Sequence, residues 1–539
     1  MTSEESRAAV DGDVRDALVM APQPMASRDV GQVGSGRSCA ICNVLFNILL
    51  LIVSIILLPI IILVLFILCL LPMLEKLTHP RRQYLDGVGS SQINNIPEAI
   101  IHAIMISKER VSAEEVFTKF RETYLTDARP EFARFKQRIV RRAWFWPYWT
   151  DMSANFEPAR HFLPFAEPVT KEELEQSISD IQLELFDLDH PVWELRHYEN
   201  FIDENGKACS ATMLRLHHAM CDGFTGMRIL MQGADPNKPP VKPDEPQAAQ
   251  GDRRPKPSCL QTACYFLASL KKLLLMQNDK PSIFKSAVHI GPADKKHVAW
   301  TALRGKSVHD LKLLARALGG ASINDVLLTA LAGSLRTYNH IHGGSGIGDD
   351  VTSCMWVSLS PLKHIYTDFN EMPLRWGNGT LGAVYLKLPV GEKYHGYGVR
   401  DSLALLRQST TDPSLMIEAS VATSLLSLFG SIPRVACKLI WGPLANKVSV
   451  SMSNVPGPQF SFDWCRMPIR CMLFFVPPTG SISLFVTIAT CNGEICVGMG
   501  VDAALMSQEA LKQISGDLFE AEIGKLFNEM PNSMASDFT

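Results

Sequence analysis

From Ala40 to Leu74 the chain runs for 35 residues without a charged side chain, dense in Leu, Ile and Val and interrupted mainly by Asn43, Asn47, Ser54, Pro59 and Pro72. As one helix this run would extend about 52 Å, against a bilayer hydrocarbon core of about 30 Å. A straight span overshoots, so two arrangements fit: a single tilted span whose first turns lie among headgroups, or a hairpin that folds back near Pro59. The run starts only at residue 40 and is too long for a cleavable signal, so it is read as a retained membrane anchor. Arg28 and Arg37 precede it, and Lys76, Arg81 and Arg82 follow. That small positive excess on the C-terminal side places the rest of the chain on the cytosolic face.

The remainder is long enough to require more than one packed unit, since the whole chain has 539 residues. A net charge of -3 leaves no basic excess for a phosphate backbone, and no nucleic-acid motif is present, so nucleic acid is excluded as a partner. The 13 cysteines are scattered, without the paired spacing of zinc sites, which fits reduced thiols. Residues 233–257 carry seven prolines among Asp, Lys, Gln and Arg and cannot build a core. The expected organisation is a flexible segment 1–39, the anchor 40–74, a first half 85–232, a proline-rich linker 233–257 and a second half 258–539.

Helical and strand patterns alternate after Pro80, which defines an α/β (α+β) protein. Lys171 to Phe186 has a helical period, and Ala211 to His218 alternates as a strand. Val308 to Leu318 reads as a helix closed by Gly319 and Gly320, after which Ser322 and Asp325 have the spacing of a capping box. Val448 to Ser453, Ile482 to Ala489 and Ile495 to Val501 read as strands, the last two joined by an Asn492-Gly493 turn. Leu425 to Leu444 is apolar but carries Arg434, Lys438 and Trp441, and reads as a core helix or as a surface that meets lipid.

The string His217-His218-Ala219-Met220-Cys221-Asp222-Gly223 holds the most chemistry. On a strand, Leu214, Leu216 and His218 share one face while Met213, Arg215 and His217 share the other. His218 therefore continues an apolar face, where burial lowers an imidazole's pKa and keeps it neutral, as a general base requires. Asp222 either orients that imidazole or pairs elsewhere to hold the loop, and Gly223 allows a positive φ or a close backbone approach. Three other readings exist for the histidine: a buried structural residue, a metal ligand, or the base of a Ser or Cys nucleophile. No third ligand cluster and no GxSxG elbow accompany it, so no metal is expected, and Cys221 is too near in sequence to be an obvious nucleophile.

HHxxxDG at a strand end resembles the signature of the acyl-CoA-dependent acyltransferases that share the chloramphenicol acetyltransferase fold with peptide-synthetase condensation domains. Neighbouring strings resemble the bifunctional wax ester synthase/diacylglycerol acyltransferase family: His190-Pro191-Val192-Trp193-Glu194 for its PLW motif, Asn324-Asp325, Gly377-Asn378, and Ser453-Asn454-Val455-Pro456-Gly457-Pro458. Trp149, Phe156 and His161 fit the region before PLW. The resemblance runs from about Glu131 to Asp502, with the motifs in order on both sides of the linker. It implies two chloramphenicol-acetyltransferase-like subdomains forming an active-site tunnel, with His218 catalytic and His217, Asp222, Gly223, Asn324 and Asp325 supporting it. It also implies acyl-CoA as co-substrate, no permanently bound cofactor, and a long-chain alcohol or diacylglycerol as acceptor at a lipid membrane. The endoplasmic reticulum is the expected location, with plasma membrane or lipid droplet as alternatives.

The chain departs from the family pattern in two places. PLW is Pro191-Val192-Trp193, and where the family reads PVSxR the chain has Trp356-Val357-Ser358-Leu359-Ser360, without the arginine. Asn378-Gly379-Thr380 has the form of a glycosylation sequon but reads as a loop constraint, and the carrier-like string Leu318 to Ser322 reads as a helix cap. The rival functions are amide formation by a condensation-like enzyme and lipid binding or transfer without catalysis.

Overall fold

Twelve strands in two mixed six-stranded sheets carry the molecule. In chain order they are Ile100–Ser107 (β1), Phe162–Thr170 (β2), Trp193–Ile202 (β3), Ala208–His217 (β4), Lys296–Ala302 (β5) and Val351–Ser358 (β6). Leu381–Leu388 (β7), Val450–Pro456 (β8), Asp463–Trp464 (β9), Met467–Phe475 (β10), Leu484–Cys491 (β11) and Glu494–Asp502 (β12) complete them. The first sheet is ordered β9-β10-β1-β4-β3-β2 and the second β7-β6-β8-β11-β12-β5. The computed structural model describes residues 73–530 other than 97–98, 143–144, 235–257, 287–294, 343–349, 360–373, 380, 433–445 and 477–481, together with Leu63, Ile67 and Leu70. Segment 1–39, nearly all of the expected anchor, most of the linker and residues 433–444 of the apolar stretch therefore lie outside the described residues. Among those described, no single helix is long and apolar enough to cross a membrane.

The halves on either side of the linker belong to one compact unit, Phe66–Thr539. Their interdependence is visible in the pairing: β9 and β10 come from the second half, yet β10 pairs antiparallel with β1 and so extends the first half's sheet. Local sequence explains most of the elements. Thr170 caps helix Lys171–Ile181 through a reciprocal box with Glu173, and Ser307 does the same for Val308–Ala317 with Asp310. Helix Ile323–His342 begins with the expected box, the Asp325 carboxylate accepting the Ser322 N–H at 2.8 Å and the Ser322 hydroxyl accepting the Asp325 N–H at 3.1 Å. Gly319 and Gly320 both adopt positive φ after the preceding helix, 76° and 71°. The Asn492-Gly493 turn has φ of 51° and 85°, the two positive values that a two-residue hairpin loop needs to match strand twist.

Four further helices frame the space between the sheets: Gly87–Asn95 (α1), Gly223–Gln232 (α2), Cys259–Leu275 (α3) and Leu415–Ser431 (α4). Helix α1 is rich in Gly, Ser and Asn and has little intrinsic tendency to form. It is ordered by packing on α4, where a Cβ built on Gly430 would sit 1.8 Å from the Gly87 carbonyl oxygen. Gly430→Ala should therefore force α1 and α4 apart and lower stability by about 1–3 kcal/mol, the usual cost of overpacking. Gly524→Ala is the control, because nothing lies within 4 Å of its Cβ position, and a thermal melt of both variants should separate them clearly.

Candidate active site

Between the two sheets lies a cavity of about 210 Å³. The first sheet lines it with Ile101 and Ala103 of β1 and Leu214 and Leu216 of β4, and the second with Trp356 of β6 and Tyr385 of β7. Register explains why these side chains share one surface: Ile101 pairs with Leu216 and Ala103 with Leu214, so both strands direct the same phase of their alternation inward. The opposite phase of β4 packs elsewhere, with Met213 in a separate apolar cluster and Arg215 hydrogen-bonded to the backbone carbonyls of Ile181 and Glu184. The alternation expected for residues 211–218 is thus the observed one, although the strand stops at His217 and His218 opens the turn that follows it.

His218 lines the cavity from that turn, with protein on all sides and part of its ring open to the interior. Its backbone N–H donates to the Ala99 carbonyl at 2.8 Å, fixing the ring at the end of the sheet. The imidazole Nδ1 lies 2.9 Å from Asn378 Oδ1 and 3.0 Å from Gln92 Nε2. One nitrogen cannot donate to the oxygen and accept from the amide N–H at once. The Asn378 amide nitrogen is already engaged with the His218 carbonyl at 3.0 Å and Gln92 Oε1 at 3.3 Å, which turns Oδ1 toward the ring. An Nδ1–H donating to Asn378 Oδ1 satisfies that orientation and leaves Nε2 as the unprotonated nitrogen. Nε2 has no hydrogen-bond partner among the described residues.

Burial pushes the His218 imidazole below the ordinary histidine range, and its own carbonyl, the Asp222 carboxylate, Asn378 and the Asp86 carboxylate partly oppose that shift. The ring is therefore neutral at physiological pH. Asp222 holds the loop: its carboxylate caps α2 by accepting the Thr225 N–H at 2.7 Å, and it influences the histidine as a nearby charge. Gly223 starts that helix with Val455 Cγ2 only 3.0 Å from where its Cβ would be, so close approach is its role; its φ is not positive. His217 faces away from the cavity, and its Nδ1 accepts the Ala219 N–H at 3.0 Å. Cys221 lines the cavity, but burial drives its thiol far above the ordinary range, which leaves no thiolate to act as a nucleophile.

Asn324 and Asp325 do not line the cavity. Asn324 Oδ1 accepts from the Asn454 amide at 2.5 Å and so ties its helix to β8, whose Ser453 and Val455 do reach the cavity, while Asp325 receives the Thr410 hydroxyl at 2.6 Å and ties the same helix to helix Val399–Thr410. Trp193 of the PVW string is buried, donates to the Phe135 carbonyl at 2.8 Å and stacks on His161, ring centroids 4.5 Å apart. In the string that lacks the family arginine, Trp356 reaches the cavity and donates to Ser451 Oγ at 2.8 Å; Ser360 lies outside the described residues. Among the described residues no group of three His, Cys, Asp or Glu side chains could hold a metal ion.

Two participants have no local signal in the sequence. Gln92 and Asp86 both belong to α1 or its cap: Asp86 caps the helix at Gly89 and accepts the Asn378 N–H at 3.0 Å. Asn378 itself reads as a loop constraint in the sequence; the structure buries it completely, where no glycan could be attached, against the histidine ring.

The chain matches the wax ester synthase/diacylglycerol acyltransferase catalytic domain over residues 95–277 and the WS/DGAT C-terminal domain over residues 376–520. A putative diacylglycerol O-acyltransferase of Mycobacterium tuberculosis strain H37Rv is 24% identical over 386 residues, 66% of this chain and 71% of that protein. A second protein of that strain, a probable diacylglycerol O-acyltransferase, is 23% identical over 372 residues, 63% and 74% of the two chains. Among solved structures, the wax ester synthase/diacylglycerol acyltransferase from Marinobacter aquaeolei VT8 superposes with a TM-score of 0.51 at 16% identity, covering 79% of this chain and 94% of that one. The first condensation domain of the calcium-dependent antibiotic synthetase gives 0.54 at 12% identity, covering 84% and 98%. These likenesses show a two-subdomain fold of the condensation and chloramphenicol acetyltransferase type. With both domains matched in order around the histidine cavity, the chain belongs to the wax ester synthase/diacylglycerol acyltransferase family of enzymes.

Proposed function

We propose that the protein transfers a fatty acyl group from acyl-CoA to the hydroxyl of a long-chain alcohol or diacylglycerol, with His218 as the catalytic base. The observation that carries this reading is an imidazole, on the wall of a largely apolar cavity, whose Nδ1 is occupied by Asn378 and whose Nε2 is left bare. Nε2 removes the hydroxyl proton as the oxygen attacks the thioester carbonyl; the carbon–sulfur bond breaks, and the imidazolium returns the proton to the departing CoA thiolate. Ester and free CoA are the products, and the histidine ends neutral. Greasy substrates explain the apolar walls, and the run 40–74 supports a membrane location for the enzyme, with the endoplasmic reticulum the first choice and the body cytosolic.

His218→Ala, assayed in membranes with labelled acyl-CoA with and without added fatty alcohol, should lower ester formation about 10²–10⁴-fold, the usual contribution of a positioned base. Unchanged ester formation would rule the scheme out. Asn378→Leu removes the acceptor that fixes the tautomer and should lower kcat on the order of 10²-fold with KM little changed, a share of that same contribution. Asn378→Asp keeps an acceptor and adds a negative charge that favours the imidazolium, so it should recover much of the rate and move the acid limb of the pH profile upward. In the unsubstituted enzyme that limb lies below about 6.5, the ordinary histidine value. Charging His218 costs the folded state, so stability is also lost as pH falls through that value. Nitrogen NMR of labelled histidine reads the tautomer and its titration directly.

A further inference from the structure

The second sheet gives the cavity a polar row away from the histidine. Cys354 of β6 pairs with Tyr385 of β7 on one side and with Ser451 of β8 on the other, and all three side chains line the cavity. The opposite phase of these strands, with Met355 and Met452, packs into the apolar core behind the sheet. Burial pushes the Tyr385 phenol well above its ordinary range and the Cys354 thiol up to about 12, and the two hydrogen-bond each other, so the row carries protons but no charge. Ser451 differs from both. It is 2% exposed, and its Oγ accepts the Trp356 indole N–H at 2.8 Å, while its own hydroxyl proton has no acceptor among the described residues. Thr487 on the neighbouring β11 shows the usual solution, a buried hydroxyl that donates to the backbone carbonyls of Phe474 and Gly498. A buried donor left unpaired is costly, and polar groups set singly into an apolar cavity wall orient and select what binds there. Accepting the indole N–H also polarises the serine and makes it a stronger donor.

Two strands measure how far this row lies from the chemistry. Leu381 starts β7 on the cavity wall, three residues after the Asn378 that holds the imidazole, and Tyr385 is four residues further on. On β8, Val455 lies against Gly223 at the catalytic end, and Ser451 is four residues back from it. By either strand the row is about 13 Å down the cavity, at about 3.3 Å per residue. An extended polypeptide covers about 3.5 Å in three bonds, so a fatty chain with its head at His218 reaches the row on the order of ten bonds from that head. The ester groups of a diacylglycerol lie only a few bonds from its free hydroxyl, well short of the row. A plain methylene chain reaches it but offers no acceptor.

We infer that Ser451, held by Trp356, is a specificity residue that selects a fatty chain carrying an oxygen, as hydroxyl, ether or epoxide, on the order of ten bonds from its reacting head. The inference rests on the acyl-transfer reading of the same cavity and deepens it by naming a substrate class. An oxygen at that depth accepts the serine's hydrogen bond, whereas an all-carbon chain buries the hydroxyl unpaired.

A positional series tests it. The full chain is assayed with long-chain alcohols of equal length in which one methylene is replaced by an ether oxygen near the hydroxyl, at mid-chain or near the tail, and with the matching acyl-CoA series. For the chain that lies along β7 and β8, kcat/KM relative to the all-carbon chain should peak at the mid-chain oxygen by about tenfold, the worth of one hydrogen bond. Ser451→Ala should bring that ratio close to one, both by slowing the ether chain and by speeding the all-carbon chain, and Trp356→Phe should lower it part of the way. Thermal melts of the protein with the same alcohols need no turnover and should rank them in the same order. If no chain yields ester while the melts keep that order, the acyl-transfer reading fails and the serine's preference is still read. A flat positional profile in the unsubstituted protein overturns the inference, as does an unchanged profile in Ser451→Ala. An equal loss at every position in Ser451→Ala with CoA donors, absent with N-acetylcysteamine thioesters, assigns the serine to an amide of the CoA arm and overturns it as well.

Discussion

At Gly377 the two halves of the molecule touch backbone to backbone. Its N–H donates to the Met220 carbonyl at 2.8 Å and its carbonyl accepts the Asp222 N–H at 3.1 Å, so it brackets the turn that follows His218. The residue has φ of 106°, and a Cβ on it would lie 2.2 Å from the Asp86 carboxylate. Only glycine passes through that gap, and the passage delivers Asn378 to the histidine ring. A buried turn must find partners for its backbone groups, and here they come from the opposite half of the chain. Packing of the two sheets and orientation of the imidazole are therefore one event: a shift of one half relative to the other would leave buried N–H and C=O groups unpaired as well as misplacing the ring.

What was legible in the sequence had a local cause. Alternation along residues 211–218 identifies the inward face because side chains on a strand change sides at every residue, and the cavity wall follows that phase. The box at Ser322 and the Asn492-Gly493 turn are short-range chemistry that tertiary structure had no reason to override. The helix expected over Lys171 to Phe186 ends earlier, at Ile181, whose carbonyl, with that of Glu184 just beyond the helix, accepts from Arg215.

What was not legible depends on distance in sequence. Nothing in Met467–Phe475 announces that it will pair with Ile100–Ser107, more than three hundred residues earlier, since an apolar strand looks the same in either sheet. Helix α1 is harder still: its Gly, Ser and Asn content suggests a loop, and it exists because α4 packs on it closely through Gly87 and Gly430. Gln92 and Asp86 travel with it to the histidine. Asn324 shows the converse case, in which a motif residue is plain in the sequence but acts at one remove, through Asn454 and β8, from the cavity.

The proposed chemistry has to form an imidazolium in a cavity built to receive hydrocarbon. Apolar walls keep the resting ring neutral and therefore basic, but the same walls penalise the charge that appears when it takes a proton. Two carboxylates moderate that penalty. Asp222 and Asp86 each accept backbone N–H bonds, at Thr225 and at Gly89 and Asn378, which fixes their positions near the ring without direct contact with it. Both favour the charged imidazole from a distance, and neither is strong enough to overcome burial. A carboxylate in direct contact would do more for the imidazolium, but it would also raise the resting pKa and leave less free base at neutral pH. An amide acceptor at Nδ1 with the carboxylates set back avoids that loss: the ring rests neutral, and the transient positive charge still meets a negative potential when the acceptor gives up its proton.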